Sequence, residues 1–340
     1  MPERIKAAAM HGHSLLQMLD AFATLDQGDE GWTIATVVTK EQSSYRQPGA
    51  VMLVSPYGKS YGLVSGGCLE ADIALQAKKV QQSGVPRYLI YDSSEEGGIA
   101  AGLGCNGRVG VLLQIVTPGY RKFLGLLHAR LKDRQPCRLR YCYRSENTRE
   151  MAQCTLLDQA GRVLAHALPE QAGEPGADTG QVTIDHSAPC SLWVIGGGAD
   201  TRPLVVIASL LGWQTTIVDH RVGYARATDF PSAQRILRSN PEDFNGIMDG
   251  DVVLLMSHNL SMDAAWLKKM DPENLPKYIG LLGPESRREQ VFALAAIEPG
   301  SELARSIHGP MGFDIGGDTP ESIALSIMAQ CHQVLLRVSR

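Results

Sequence analysis

Apolar positions follow two regimes along the chain. In the first, short periodic segments alternate irregularly. From Ser14 to Leu25 the apolar residues Leu15, Leu16, Leu19, Phe22 and Ala23 recur at helical spacing, which predicts an amphipathic helix. Trp32–Val38 reads as a strand. Ala50–Val54 and Ser60–Val64 read as a hairpin around Pro56-Tyr57-Gly58-Lys59. Leu69–Gln82 reads as a helix stopped by Gly84, Tyr88–Tyr91 and Arg108–Val116 as strands, and Phe123–Leu131 as a further helix. Cys137–Tyr143, Ala152–Leu157 and Gly161–Ala165 predict a small antiparallel meander. The polar stretch Pro169–Gly180, rich in Gly and Pro, carries no apolar period and reads as a linker, followed by a short strand-like Val182–Asp185.

The second regime alternates cleanly. Ser191–Ile195 is a continuous apolar strand, followed by Gly196-Gly197-Gly198 and a helix to about Leu211. Gln214–Val218 is a second strand ending at Asp219. Asp251–Met256 precedes a helix near Ala264–Lys269, and Tyr278–Leu282 precedes another. Glu321–Leu336 closes as a long helix, with Thr319 suited to the N-cap and Pro320 to the first helical position. Strands alternating with helices imply a parallel sheet covered on both faces. The fold class expected is therefore α/β: a C-terminal Rossmann-like doubly wound parallel sheet, preceded by an N-terminal α+β domain. The expected domains are residues 1–185 and 186–340.

Composition narrows the classes. A chain of 340 residues suits about two domains, and its 44 % hydrophobic content suits ordinary cores. A net charge of −4 argues against a nucleic-acid or anionic-membrane surface. No apolar run is long enough to span a bilayer, and the first residues lack the apolar core of a signal peptide. Seven cysteines, odd in number and irregularly spaced, suit reduced thiols in the cytoplasm better than a disulfide framework. The 35 glycines exceed the average share of about 7 % and fall in short clusters that look like sites.

Two of those clusters bed a cysteine. Ser65-Gly66-Gly67-Cys68-Leu69-Glu70 lies just before a predicted helix, and Gly102-Leu103-Gly104-Cys105-Asn106-Gly107 just before a predicted strand. A thiol beside a helix N-terminus faces unpaired backbone N–H groups and the positive end of the dipole, a setting for a nucleophile or a soft-metal ligand. The alternative is a small residue in a tight turn. Arg46, in Ser43-Ser44-Tyr45-Arg46-Gln47-Pro48-Gly49, is a candidate clamp for a phosphate or a pterin edge, or else part of a surface turn.

Val194-Ile195-Gly196-Gly197-Gly198-Ala199-Asp200-Thr201 resembles a dinucleotide fingerprint with Thr201 in the third small position. Gly196 permits the turn, Gly198 lets the backbone reach a phosphate, and Asp219 stands where a carboxylate would accept a ribose hydroxyl. His258, after the Asp251–Met256 strand, is a candidate ligand or proton donor, or else a helix cap or a solvent-facing residue. Arg287 and Arg288 read as a solvated helix face or a phosphate partner, and His308 and Asp314 as candidate site residues in a glycine-dense loop. Cys137, Cys142, Cys154, Cys190 and Cys331 lie in or beside apolar segments and read as structural. There is no phosphate-loop motif, no His-Glu-x-x-His, no Cys-x-x-Cys zinc pattern and no Gly-x-Ser-x-Gly elbow.

The runs Ser43–Ala50, Ser65–Glu70 and Gly102–Gly107, with Gly196-Gly197-Gly198, Tyr278–Gly283, Pro310–Gly316 and Thr319–Ala324, together resemble the XdhC/CoxI family over both domains and in the same order. The resemblance implies an accessory protein for molybdenum hydroxylases of the xanthine dehydrogenase type. Such a protein binds the molybdenum cofactor (molybdopterin), supports exchange of an oxo for a sulfido ligand, and delivers the cofactor to the apo-hydroxylase. It implies a cysteine desulfurase as a second partner, and self-association. Cys68 becomes the leading candidate for contact with the cofactor and its metal, Cys105 the second, and Arg46, Ser65, Gly66, Gly67 and Glu70 their setting. The chain departs from the family pattern at Ala199, where a histidine is usual; at Leu260, where a second histidine often stands; and at Pro284-Glu285. The rival function is an NAD(P)-dependent oxidoreductase that holds NAD(P) or another nucleotide through Gly196, Gly198 and Asp219, with His258 as proton donor. A third is a protein that only bridges partners.

Overall fold

The computed structural model describes residues 10–11, 13–26, 28, 31–42, 46–92, 107–144, 152–167, 179–246, 248 and 250–336. Its contacts divide the chain into two compact units, Met1–Pro189 and Cys190–Arg340.

Unit 1 runs β1 (Met10–His11), α1 (His13–Leu25), β2 (Thr33–Gln42), β3 (Val51–Val54), β4 (Ser60–Gly62), α2 (Glu70–Ser83), β5 (Arg87–Asp92), β6 (Gly107–Ile115), α3 (Pro118–Lys132), β7 (Cys137–Arg144), β8 (Ala152–Leu157), β9 (Val163–Ala167) and β10 (Thr179–Ser187). These strands form two five-stranded sheets, ordered β4-β3-β2-β6-β5 and β1-β10-β7-β8-β9. The centre of the first sheet is buried on both faces, and there β3 is apolar throughout while β2 places only the small Thr33 and Thr36 among its apolar residues. On one face Ala35, Val37, Val111 and Leu113 pack against Ile73, Ala77 and Val80 of α2, spaced to share one side of that helix. On the other, Ile34, Val38 and Leu112 share a core with α1, α3 and the second sheet. A fully buried leucine such as Leu124 or Leu127 there contributes roughly 1.5–3 kcal/mol.

Several elements extend past their sequence expectation, each for a visible reason. Helix α3 begins at Pro118, ahead of Phe123, because the Thr117 hydroxyl accepts from the Tyr120 N–H and Pro118 starts the first turn. Strand β10 runs from Thr179 to Ser187, so the end of the linker-like stretch is recruited into a ladder opposite β7, from Thr179↔Arg144 to His186↔Cys137. The predicted three-strand meander is thereby part of a larger sheet.

Unit 2 runs β11 (Ser191–Ile195), α4 (Thr201–Leu210), β12 (Gln214–Val218), β13 (Arg235–Leu237), β14 (Val252–Leu255), α5 (Leu260–Leu267), β15 (Tyr278–Leu281), α6 (Glu285–Ala295), α7 (Glu302–Ser306), β16 (Ile307–His308) and α8 (Pro320–Leu336). All six strands are parallel, in the order β13-β12-β11-β14-β15-β16. The chain starts in the middle, builds outward through β12 and β13, then returns to the other side of β11. The switch point therefore lies between β11 and β14, where ligands bind in such sheets. Helices α4 and α8 cover one face and α5 and α6 the other. Sequence periodicity missed β13 and β16, edge strands of three and two residues that are too short to show a period. Among the described residues no helix is long and apolar enough to cross a membrane.

One buried group makes unit 1 sensitive to acid. His186 is 2 % exposed, and neither ring nitrogen has a hydrogen-bond partner among the described residues. Burial lowers its pKa to about 4, against a smaller upward pull from Asp185. The unfolded chain protonates this ring near its ordinary value of about 6.5, the folded chain only near 4. The stability tied to a neutral ring is therefore complete above about pH 6.5 and is lost as the pH falls toward 4. Denaturant unfolding of His186→Phe and of the unaltered chain should diverge over that window, by about 3 kcal/mol at pH 4 in favour of the variant's flatter profile.

Candidate functional site

In unit 1 the β3–β4 hairpin runs into the turn that carries Cys68, and Ser65 builds that turn. Its hydroxyl donates to Glu70 Oε2 at 2.5 Å and accepts from the N–H groups of Gly67 and Leu69, each at 3.2 Å. Glu70 Oε1 accepts from the N–H groups of Val64 and Ser65 at 3.1 and 2.8 Å. Burial pushes the Glu70 carboxyl up, but the Ser65 hydroxyl and these N–H groups outweigh it and hold the carboxyl below its ordinary value. An anion thus stands at the first residue of α2, at the positive end of the helix dipole.

The polar groups of Ser65 and Glu70 are spent within the turn, and what it presents outward is Gly66, Gly67 and the Cys68 thiol, all exposed. Gly67 takes φ +111°, a conformation that favours glycine. Among the described residues Cys68 is the one exposed cysteine; Cys137, Cys142, Cys154, Cys190 and Cys331 are buried. Burial pushes the Cys137 thiol up to about 11, which suits an inert structural role.

The strand register places the sequence motifs at one end of the first sheet. Gln42 pairs with Gly107, Thr36 with Val51 and Met52 with Gly62. The end of β2, the start of β3, the end of β4 and the start of β6 therefore share that end. The half-buried Arg46 sits on the connection between β2 and β3, and the Cys68 turn follows β4. Cys105 lies outside the described residues, as do Ser43, Ser44 and Tyr45.

In unit 2 the chain turns at Gly196, where φ is +122° and a Cβ would run into the Met256 carbonyl oxygen. Thr201, in the third small position, is fully buried and its hydroxyl donates to the Gly196 carbonyl at 2.9 Å. The close packing of strand on helix is kept without a third glycine.

Asp219 directly follows β12, but its carboxylate is already engaged. It accepts from the Gly197 N–H at 2.8 Å and from the backbone N–H, Nε and Nη2 of Arg221 at 2.9, 3.0 and 2.7 Å. Those bonds fill the roughly four acceptor positions of a carboxylate. Burial pushes its carboxyl up, and Arg221 with the Gly197 N–H outweighs this and holds it below its ordinary value. Arg221 also stacks on Tyr224 at 3.7 Å. Asp219 is a brace between the glycine turn and the loop after β12.

A second carboxylate lies on the turn itself. Asp200 Oδ1 sits so close to Gly198 that a Cβ there would collide with it. Asp200 Oδ2 is 2.9 Å from His258 Nε2, across the switch point, with His258 at φ +58°. The first N–H groups of α4, from Thr201 and Arg202, donate to the carbonyls of Gly198 and Ala199. Beside them Ser257 Oγ donates to Asp263 Oδ1 at 2.6 Å, and Arg287 Nη2 meets Asp263 Oδ2 at 2.7 Å, with Asp263 fully buried. Arg287 is thus an internal counter-ion rather than a solvated helix face, and Arg288 holds the Gly309 carbonyl. His308 stacks on Tyr278 at 4.4 Å, and Asp314 is exposed.

Around this point opens a cleft of about 280 Å³, walled by Ile195, Val218, Met262 and Trp266 and edged by Ser239, His220, Ser257 and Asn259. Asp200, Ser239, Met262 and Trp266 were not singled out by the sequence; only Asp200, next to the glycines, carried a local signal. Among the described residues no group of three or more His, Cys, Asp or Glu side chains is arranged to hold a metal ion.

Two substitutions probe these turns. Ser65→Ala removes one donor and two accepting contacts and should cost about 1–2 kcal/mol in urea unfolding, the loss growing if Glu70→Gln is added. Gly196→Ala meets both the Met256 carbonyl and an unfavourable φ and should cost roughly 2–5 kcal/mol.

Comparison with known proteins agrees with both units. Residues 25–92 match the family model described as XdhC and CoxI family, and residues 192–331 match the XdhC Rossmann domain. A Bacillus subtilis protein named as a probable subunit of xanthine dehydrogenase is 28 % identical over 95 % of this chain and 98 % of its own length. The molybdenum cofactor insertion chaperone PaoD of Escherichia coli is 24 % identical over 90 % of this chain and 84 % of its own. A crystal structure of a Bacillus halodurans protein titled a xanthine dehydrogenase superposes with a TM-score of 0.78 at 29 % identity, covering 97 % of each chain. The Cys68 turn falls within the first match and the switch-point cleft within the second, in one chain order and at nearly full length: this chain belongs to the XdhC and CoxI family.

Proposed function

We propose that this chain is an accessory chaperone for a molybdenum hydroxylase of the xanthine dehydrogenase type. It receives the molybdenum cofactor as cargo, shields it during sulfuration and hands it to the apo-enzyme. Membership of the family supports the accessory role, and a full-length relative named a molybdenum cofactor insertion chaperone supports the cargo. The observation that carries the reading for this chain is the Cys68 turn. Its thiol is exposed while the Ser65 and Glu70 groups that shape the turn are satisfied within it.

That arrangement suits a holder of cargo. A thiolate is a ligand for soft or high-valent metals, and exposure lets a bulky guest approach it. Glycines on its flank let pterin or phosphate oxygens come close to the backbone. Glu70, held as an anion by its hydrogen bonds, keeps the turn in one shape whether or not cargo is present. Arg46, on the loop at the same end of the sheet, supplies a cation for the cargo's phosphate, and Cys105 a second thiol. Sulfur reaches the cargo from a cysteine desulfurase, and the loaded chaperone docks on the apo-hydroxylase in the cytoplasm, acting as a homo-oligomer.

Cys68→Ala should fold as the unaltered chain does, because the thiol packs against no core. It should retain at least tenfold less cofactor after co-expression and gel filtration, read as molybdenum per chain and as pterin fluorescence. Equal retention by the variant would remove Cys68 from the site.

A further inference from the structure

The cleft at the switch point of unit 2 has no role in the reading above, and its walls say what it takes. It lies where doubly wound sheets bind ligands, at the carboxyl ends of β11, β12 and β14. At about 280 Å³ it is just under the roughly 300–1,000 Å³ of drug-sized ligand sites, room for a ring system rather than a dinucleotide. Its walls, Ile195, Val218, Met262 and Trp266, are apolar, and Trp266 and Val218 are almost fully buried, so they form a fixed surface. Its edge is polar: Ser239, Ser257, Asn259 and His220, with Arg221 and His258 each paired to a carboxylate, Asp219 and Asp200. The Asn259 amide oxygen accepts from the Met262 N–H, and among the described residues its amide N–H groups have no partner. The Ser239 and Ser257 hydroxyls donate to the Asn240 carbonyl and to Asp263, so what they turn to a ligand is acceptor oxygen.

At the glycine turn itself the groups are arranged against phosphate, and the cleft's Arg221 is taken up by Asp219. A dinucleotide would place its pyrophosphate over Gly198 at the α4 N-terminus and its ribose on the acid after β12. Here the Asp200 carboxylate already lies against Gly198, fixed by His258. The Thr201 and Arg202 N–H groups are spent on the turn's own carbonyls. Asp219 has its acceptor positions filled by Arg221 and Gly197. A phosphate at Gly198 would compete for the place that the Asp200 carboxylate oxygen already takes over the glycine.

We propose that this cleft binds an uncharged bicyclic nitrogen heterocycle of the purine or pterin type, and that Asp200 acts as a built-in anion that keeps phosphate off the glycine turn. The ring lies between the apolar walls, and its amino and carbonyl edge meets Asn259 and the two serines. The Rossmann turn therefore serves as a scaffold for the cleft and not as a phosphate cradle. This assignment is independent of the cargo reading at Cys68.

The test is titration calorimetry on the full chain with adenosine, guanosine and 6-hydroxymethylpterin, each paired with its monophosphate, and with NAD. The purine and pterin arms distinguish the two sources of the ring. At least one uncharged heterocycle should bind saturably, and its phosphorylated form at least tenfold more weakly. Asp200→Asn should improve binding of that phosphorylated form at least tenfold. Met262→Trp, which fills the cleft and leaves the glycine turn alone, should abolish heterocycle binding, so the idea stays testable even if Asp200→Asn folds poorly. Absence of saturable binding by every uncharged ring would overturn the proposal. So would binding of a monophosphate or NAD to the unaltered chain as tightly as the ring alone. Molybdenum retention is a separate readout, so either outcome leaves the Cys68 reading to stand or fall by itself.

Discussion

In both units a carboxylate reaches back onto a glycine-rich turn and satisfies its backbone N–H groups. Glu70 does this for Val64 and Ser65, and Asp219 for Gly197. Glycine turns gain the close approach their ligands need at the expense of conformational entropy. The carboxylates offset that loss by pinning the turn through charge-assisted hydrogen bonds, worth more than neutral ones. Without them neither the exposed thiol nor the switch-point cleft would have one shape.

The same device leaves different things outside in the two units. Around Ser65 every strong polar group is turned inward, so the exposed part of the turn is a thiol and glycine backbone. Around Gly196 the inward bonds use up Asp219, and Asp200 adds a second carboxylate on the turn's outer side, paired to His258. One turn presents a thiol and glycine backbone; the other presents a paired carboxylate with an apolar slot beside it. Kindred local sequences, glycines next to an acid, thus end with different groups turned outward. Which atoms the acid reaches decides between them.

Much of the architecture could be read from local pattern. Continuous apolar runs such as Ser191–Ile195 are strands buried on both faces because a parallel sheet between two helix layers has no wet side. The helix near Ser14–Leu25 shows its period because it has one apolar face. Elements whose stability comes from partners far along the chain were harder to read. Residues Thr179–Ser187 become a strand because β7 offers an unpaired edge, and β13 and β16 are two or three residues held only by their neighbours. The starts of α3 and α5 carried a local signal in Thr117 and Asn259, whose side chains cap those helices.

By itself the sequence determined the parallel sheet of the second unit, the helical and strand segments of the first, and the cysteine-bearing glycine turn, since all of these follow from spacing and side-chain size over a few residues. Only the tertiary structure decided what each charged group does. Asp200 finds His258 58 residues away, Asp263 finds Arg287 24 residues away, and Asp219 is met from both the glycine turn and the loop after its own strand. A hydrogen bond demands distance and direction together, and those come only when the sheet has brought the strand ends side by side.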